Sequence, residues 1–429
     1  MKFDLNDHWF ASGKTLESFE ETIEEIAKAT SFVKVNPEKV SFYYKTGETP
    51  DKYDIIVFNK ENLDEISLAA ADAAASSSAY ITCENAVGHL KKALIDKTLT
   101  EESFTTNGFL LNAEGRGYYI SENARPTLLM RAGLGGEMAG NKSLILTAAI
   151  AEAITKQKRA MTMVVKQIGA VRKVFAVMSD KYEDISQTLL PDIAHQLIDK
   201  KTMGDAEVKE WYVDHTFTHI YMEFPQVADD YTTVFGLEEG FIPGLTIMSS
   251  DTGNSSLIVR GTIKAPKARG YVVLNEYSHK HSGRISTDDI LKAIKSDIHS
   301  AFAEFPEALA KKMGNVIGEG KVVTAKDRSD NEKAVRAAIK KGMKELDLRK
   351  ALGIQRANAI LNDLYAEINP TEVYTEYDIA DIFMRLPERI EGMSREMVAR
   401  IAKLCGRAPV TDFRPGAKDM ADEVVLLPA

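Results

Sequence analysis

Eight histidines, two cysteines and two basic stretches are the places where this 429-residue chain could do chemistry. His215 and His219 lie four apart and His279 and His281 two apart, so either pair can share one face of a strand. A zinc site also needs a third or fourth protein ligand and an oriented outer shell. No HExxH or CxxC spacing supplies one. His215 and His219 therefore read as sheet residues, and no metal and no cofactor is expected. The segment 135–143 (GGEMAGNKS) follows an apolar stretch and opens a helix, as a phosphate-cradling loop would. Asn141, however, separates the glycine from Lys142 and breaks the register that such a loop requires. It reads as a Gly-rich turn. The acid pairs Asp229–Asp230 and Glu238–Glu239 read as solvated loop residues. Neither Cys83 nor Cys405 has neighbours that would activate a thiol. With no nucleophile elbow, kinase set or dinucleotide fingerprint, no catalytic residue is assigned and the chain reads as non-enzymatic.

The basic stretches remain. Residues 131–175 carry 8 Lys/Arg against 2 Asp/Glu, and 256–284 carry 6 against 1. They flank 176–255, with 4 against 15, inside a chain of net charge −9. Such polarisation can form a cationic groove for phosphates. The candidate nucleic-acid-binding residues are Lys166, Arg172, Lys173, Arg260, Lys264, Lys267, Arg269, Lys280, His281 and Arg284. Tyr271 and Tyr277 stand nearby and could stack on bases, which is how single strands are held without sequence readout. Single-stranded nucleic acid is the expected partner and a homo-oligomer the expected state, with a self-associating structural or assembly protein as the alternative role.

These residues need a scaffold, and the sequence reads as α+β. Leu16, Phe19, Ile23 and Ile26 recur at helical spacing over 16–29. Strands are expected at 40–45 and 53–58, helices at 61–75 and 85–97, and a boundary near 130. The spacing then predicts a helix over 143–158, strands at 162–168 and 172–178, and a helix over 183–200. Further strands are expected at 211–224, 244–249, 256–263 and 271–277, with Asp251-Thr252-Gly253-Asn254 as a hairpin turn. The 162–178 hairpin and the 244–277 strands are expected to share one mostly antiparallel sheet. From Ser286 the pattern turns helical, with a Gly-rich, charged loop at 315–331 and helices near 331–344, 354–366, 376–385 and 393–405. The expected division is an N-terminal α+β segment over 1–130, a central antiparallel-sheet domain over 131–314 and a helical region over 315–429.

Composition sets the class. Hydrophobic residues at 44% and charged residues at 27% are globular values. Two cysteines give no disulfide framework and suit a reducing cytoplasm. The start Met1-Lys2-Phe3-Asp4 lacks the pattern of a secretory signal, and low-charge stretches such as 143–151 are too short for a membrane span. A cytoplasmic protein with no membrane partner is expected.

Several short motifs also follow a known order. Residues 173–182 (KVFAVMSDKY) resemble an apolar strand ending in a Ser-Asp turn in an uncharacterised family of phage- and plasmid-carried proteins of unknown function. Residues 244–263, Asn275 with His281-Ser282-Gly283-Arg284-Ile285, and Gly133-Leu134-Gly135 are similar to later and earlier motifs of that family. The family commonly has a Cys shortly before the Asn, where this chain has Val273 and Leu274. The resemblance spans roughly 131–295. It implies a phage- or plasmid-type protein, acting in the host cytoplasm if phage-encoded, and supplies no activity. Replication or recombination is the expected setting for the nucleic-acid role, and phage assembly for the alternative.

Overall fold

The computed structural model describes residues 3–46, 54–58, 109–113, 116–135, 144–169, 171–182, 188–199, 205–253, 256–268, 270–280, 286–320, 324–390, 392–393 and 395–421. The expected helices at 61–75 and 85–97, and most of the 135–143 turn, lie outside these residues. The protein is α+β, as its patterning implies. Strands β1 (Phe10–Gly13), β9 (Glu207–Asp214), β10 (Thr218–Glu223), β11 (Ile242–Ser249), β12 (Leu257–Lys264) and β13 (Val272–His279) form a six-stranded antiparallel sheet in that order. A seven-stranded sheet takes the order β2 (Thr30–Val35), β7 (Met161–Ile168), β8 (Val171–Ser179), β6 (Arg116–Ile120), β5 (Phe109–Ala113), β3 (Val40–Thr46) and β4 (Asp54–Phe58). Its β6–β8 pairing is parallel. The 162–178 hairpin and the 244–277 strands thus belong to different sheets, which corrects the single sheet expected from sequence. Both sheets draw strands from before and after residue 130.

The expected long strand at 211–224 is two strands. Asp214 Oδ1 accepts from the backbone N–H groups of Thr216 and Phe217, at 2.7 and 2.8 Å, and from the Thr216 hydroxyl. A side chain that captures the next backbone donors folds the chain into a tight turn. That is why the alternation reverses direction at His215.

Helices cover one face of each sheet. Helix α1 (Leu16–Ala29) begins at the Thr15 cap and buries Phe19, Ile23 and Ile26. Helix α2 (Ala124–Arg131) and α3 (Leu144–Thr155) close the seven-stranded sheet over Met163, Val165 and Val174. Helix α4 (Leu189–Asp199) packs with α1 on the core of the six-stranded sheet. Helix α5 (Pro225–Thr233) carries Asp229 and Asp230, so that acid pair is helical rather than in a loop. Proline at the first helical position starts it without losing a needed donor.

Helix α6 (Thr287–Ala293) opens with a capping box from Ser286 and Asp289. It runs through one π turn, Ile294–Ile298, into α7 (His299–Met313). Thereafter α8 (Ala325–Glu345), α9 (Leu348–Leu352), α10 (Ile354–Ala366), α11 (Glu376–Met384), α12 (Arg395–Cys405) and α13 (Ala417–Ala421) complete the helical part. The Thr324–Asp327 capping box starts α8 inside the stretch expected to be loop. Short strands β14 (Val316–Gly318) and β15 (Tyr374–Thr375) pair there too. Residues from Phe3 to Phe413 share one core with the six-stranded sheet, so the terminal helices pack on the sheet rather than hang from it.

Candidate nucleic-acid interface

Lys166 and Lys173 lie directly opposite each other on the β7–β8 hairpin. Like charges so placed repel, and each is neutralised by an acid from elsewhere. Lys166 Nζ is 3.1 Å from Asp251 Oδ2 and donates to the His215 carbonyl at 3.2 Å. Lys173 Nζ is 3.0 Å from Asp7 Oδ1 and donates to the Leu5 carbonyl at 2.9 Å. Between them stands Phe175, the extra residue of a bulge, with its ring centre 5.3 and 5.7 Å from the two ammonium groups. The His215 ring lies 4.1 Å from that of Phe175, and its Nε2–H donates to the Asn6 carbonyl. Burial foremost, then the Lys166 charge, pushes His215 down to about 3, so the ring stays neutral.

This cluster joins the turns at one end of the six-stranded sheet to a face of the seven-stranded sheet. Lys166 is 0% exposed. A charge buried and paired in this way has no surface from which to meet a phosphate. The expectation that Lys166 and Lys173 contribute to a cationic groove is therefore corrected: they are an internal ionic joint.

In the second basic stretch, Arg260 is the one cation held in a close ion pair among the described residues. Arg260 Nε bonds Glu276 Oε2 at 2.6 Å, and Lys403 Nζ bonds the other oxygen at 3.0 Å. Burial pushes the Glu276 carboxyl up, but those two hydrogen bonds outweigh it and hold it below the usual range. Tyr271 stacks on Tyr221 with ring centres 6.1 Å apart, and Tyr277 packs against the core. Lys267 and Lys280 are exposed, with Lys267 3.9 Å from Glu238, while Arg172 and Lys264 are half-buried. Arg269, His281 and Arg284 lie outside the described residues.

Nothing else among the described residues offers a metal centre. No group of three His, Cys, Asp or Glu side chains is placed to hold an ion. His219 sits on a strand face beside Glu210, not with His215. Cys405 is fully buried, and burial alone pushes its thiol up, away from reactivity. No described helix is long and apolar enough to cross a membrane.

A further group of exposed cations lies in the helical region. A concavity of about 950 Å³ opens between α8, α9 and α10. Its walls carry Lys340, Lys341, Lys344, Arg349 and Lys350 against Asp347 and Asp419. The local sequence explains the shape. Asp347 ends α8 in the left-handed conformation at φ 55°, and Gly353 at φ 79° separates α9 from α10. Asp is among the few non-glycine residues that adopt the left-handed conformation, and Gly353, with ψ 157°, occupies a region open essentially to glycine alone. Leu346, Leu348 and Leu352 anchor these turns in the core, which forces Arg349 and Lys350 between them outward. Lys341 is tied to Asp412 and to the Arg414 carbonyl. Lys344, Arg349 and Lys350 are exposed and have no ion-pair partner among the described residues. Three cations left in water on one rim are what an anionic polymer needs.

The sequence reading missed this groove because charge over 285–429 balances at 23 against 24. The signal was local: Lys340 and Lys344 share a helix face, and Arg349-Lys350 follow within two turns. Compared with known protein families, with curated proteins and with solved structures, the chain matches none.

Proposed function

We propose that this chain is a non-enzymatic nucleic-acid-binding protein whose phosphate contacts come from the groove between α8, α9 and α10. One observation carries the reading: five cations face two carboxylates in the concavity, and three of the five are exposed and unpaired among the described residues. Phosphate contacts of this kind release counterions and set affinity without reading sequence. The proposal keeps the phage- or plasmid-type setting that the resemblance implies, with replication or recombination as the process served.

A titration of fluorescent oligonucleotides, single- and double-stranded, at two salt concentrations tests it. Binding that weakens steeply with salt, and that Lys344→Glu, Arg349→Glu and Lys350→Glu together abolish, supports the proposal. No binding at low salt would end it. Self-association seen by light scattering in that case would favour the assembly role.

A further inference from the structure

Resting on that reading, we infer that α10 reads bases in the major groove of duplex DNA, with Gln355, Asn358 and Asn362 as the reading side chains. The three residues lie at i, i+3 and i+7, so they form one stripe along the helix. All three are exposed, and none makes a hydrogen bond among the described residues. Asn358 and Asn362 line the concavity whose rim carries Lys344, Arg349 and Lys350. Asparagine is a weak helix former, because its side chain competes for backbone groups. Two of them exposed inside a helix therefore do nothing for stability. Facing outward, each amide offers a donor and an acceptor, the pair that matches adenine N6 and N7 in the major groove.

The dimensions agree. A helix of about 10–12 Å diameter fits a groove about 12 Å wide. From Gln355 to Asn362 the helix rises about 10.5 Å, close to three base pairs at about 3.4 Å each. Ala357 and Leu364 of α10 are fully buried and Ile360, Leu361 and Tyr365 pack against the core, which leaves Gln355, Asn358 and Asn362 on the exposed stripe. The one aromatic residue in the lining, Tyr365, already has the Arg336 guanidinium 4.9 Å from its ring centre. A stacking platform for single strands is thus lacking there, and hydrogen-bond readout is what the wall provides.

Selection from a random duplex library, followed by titration of the selected and a scrambled duplex, tests this. Enrichment of a core of about three base pairs containing adenine is expected. Asn358→Ala and Asn362→Ala should each weaken the selected duplex about tenfold, the effect of one bidentate base contact. Affinity for the scrambled duplex should stay within about twofold. Two results would overturn the inference while leaving the phosphate-binding reading intact. One is duplex binding with no enrichment; the other is an equal loss on both duplexes. A preference for single strands would also overturn it. Loss of all binding by the parent at low salt overturns both.

Discussion

Replacing Asp251 by Asn removes the counter-charge of Lys166 while keeping the side chain's shape. Lys166 is 0% exposed and faces Lys173 across the hairpin, and its other partner is the neutral His215 carbonyl. The protein must then hold an uncompensated buried ammonium or deprotonate it. Breaking a buried pair from one side costs about 3–5 kcal/mol, a hundredfold or more in the folding equilibrium. Lys166→Met with Asp251→Leu should recover most of that loss, because a buried pair replaced by apolar groups of similar volume is often neutral. Urea unfolding of the parent, Asp251→Leu, Lys166→Met and the double variant reads the cycle, with Asp251→Asn measured beside it. A loss under about 1 kcal/mol for Asp251→Asn, the range of an exposed pair, would refute the reasoning. So would a double variant as unstable as the sum of its parts.

Other outcomes follow from the same structure. His215 is held down to about 3, whereas an unfolded histidine titrates near 6.5. The unfolded state therefore binds more protons between these values, so stability should fall as pH drops through that window, by at most about 1.4 kcal/mol per unit from this residue. His215→Phe should flatten that part of a stability-against-pH curve, and an unchanged curve would contradict the burial argument. A Cβ on Gly406 would stand 1.8 Å from the Val273 carbonyl oxygen. Gly406→Ala should thus push α12 off β13 and cost about 1–3 kcal/mol or more, read as a lowered thermal midpoint. A midpoint equal to that of the parent would show that this contact yields freely.

Local order was legible in the sequence wherever one element had one period. The helix at 16–29 and that at 354–366 begin and end as their apolar spacing indicates. Pairing between distant strands was not legible, because alternation shows that a strand has two faces but not which sheet receives it. The 162–178 hairpin went to the seven-stranded sheet for that reason. Charge misled in the same way. Lys166 and Lys173 read as surface cations until Asp251 and Asp7, 85 and 166 residues away in the chain, close on them. The groove at 340–350 was hidden by averaging over a long, balanced segment. Only its short-range spacing pointed to it.

The central claim is that the α8–α10 groove holds phosphate. The most direct measurement is the slope of log K against log salt for a fluorescent duplex, taken for the parent and for the variant carrying Lys344→Ala, Arg349→Ala and Lys350→Ala. Each phosphate contact contributes about −0.9 to that slope, so the variant's slope should be shallower by about 2.7, with affinity lowered alike for every sequence. An identical slope and affinity in parent and variant would contradict the account.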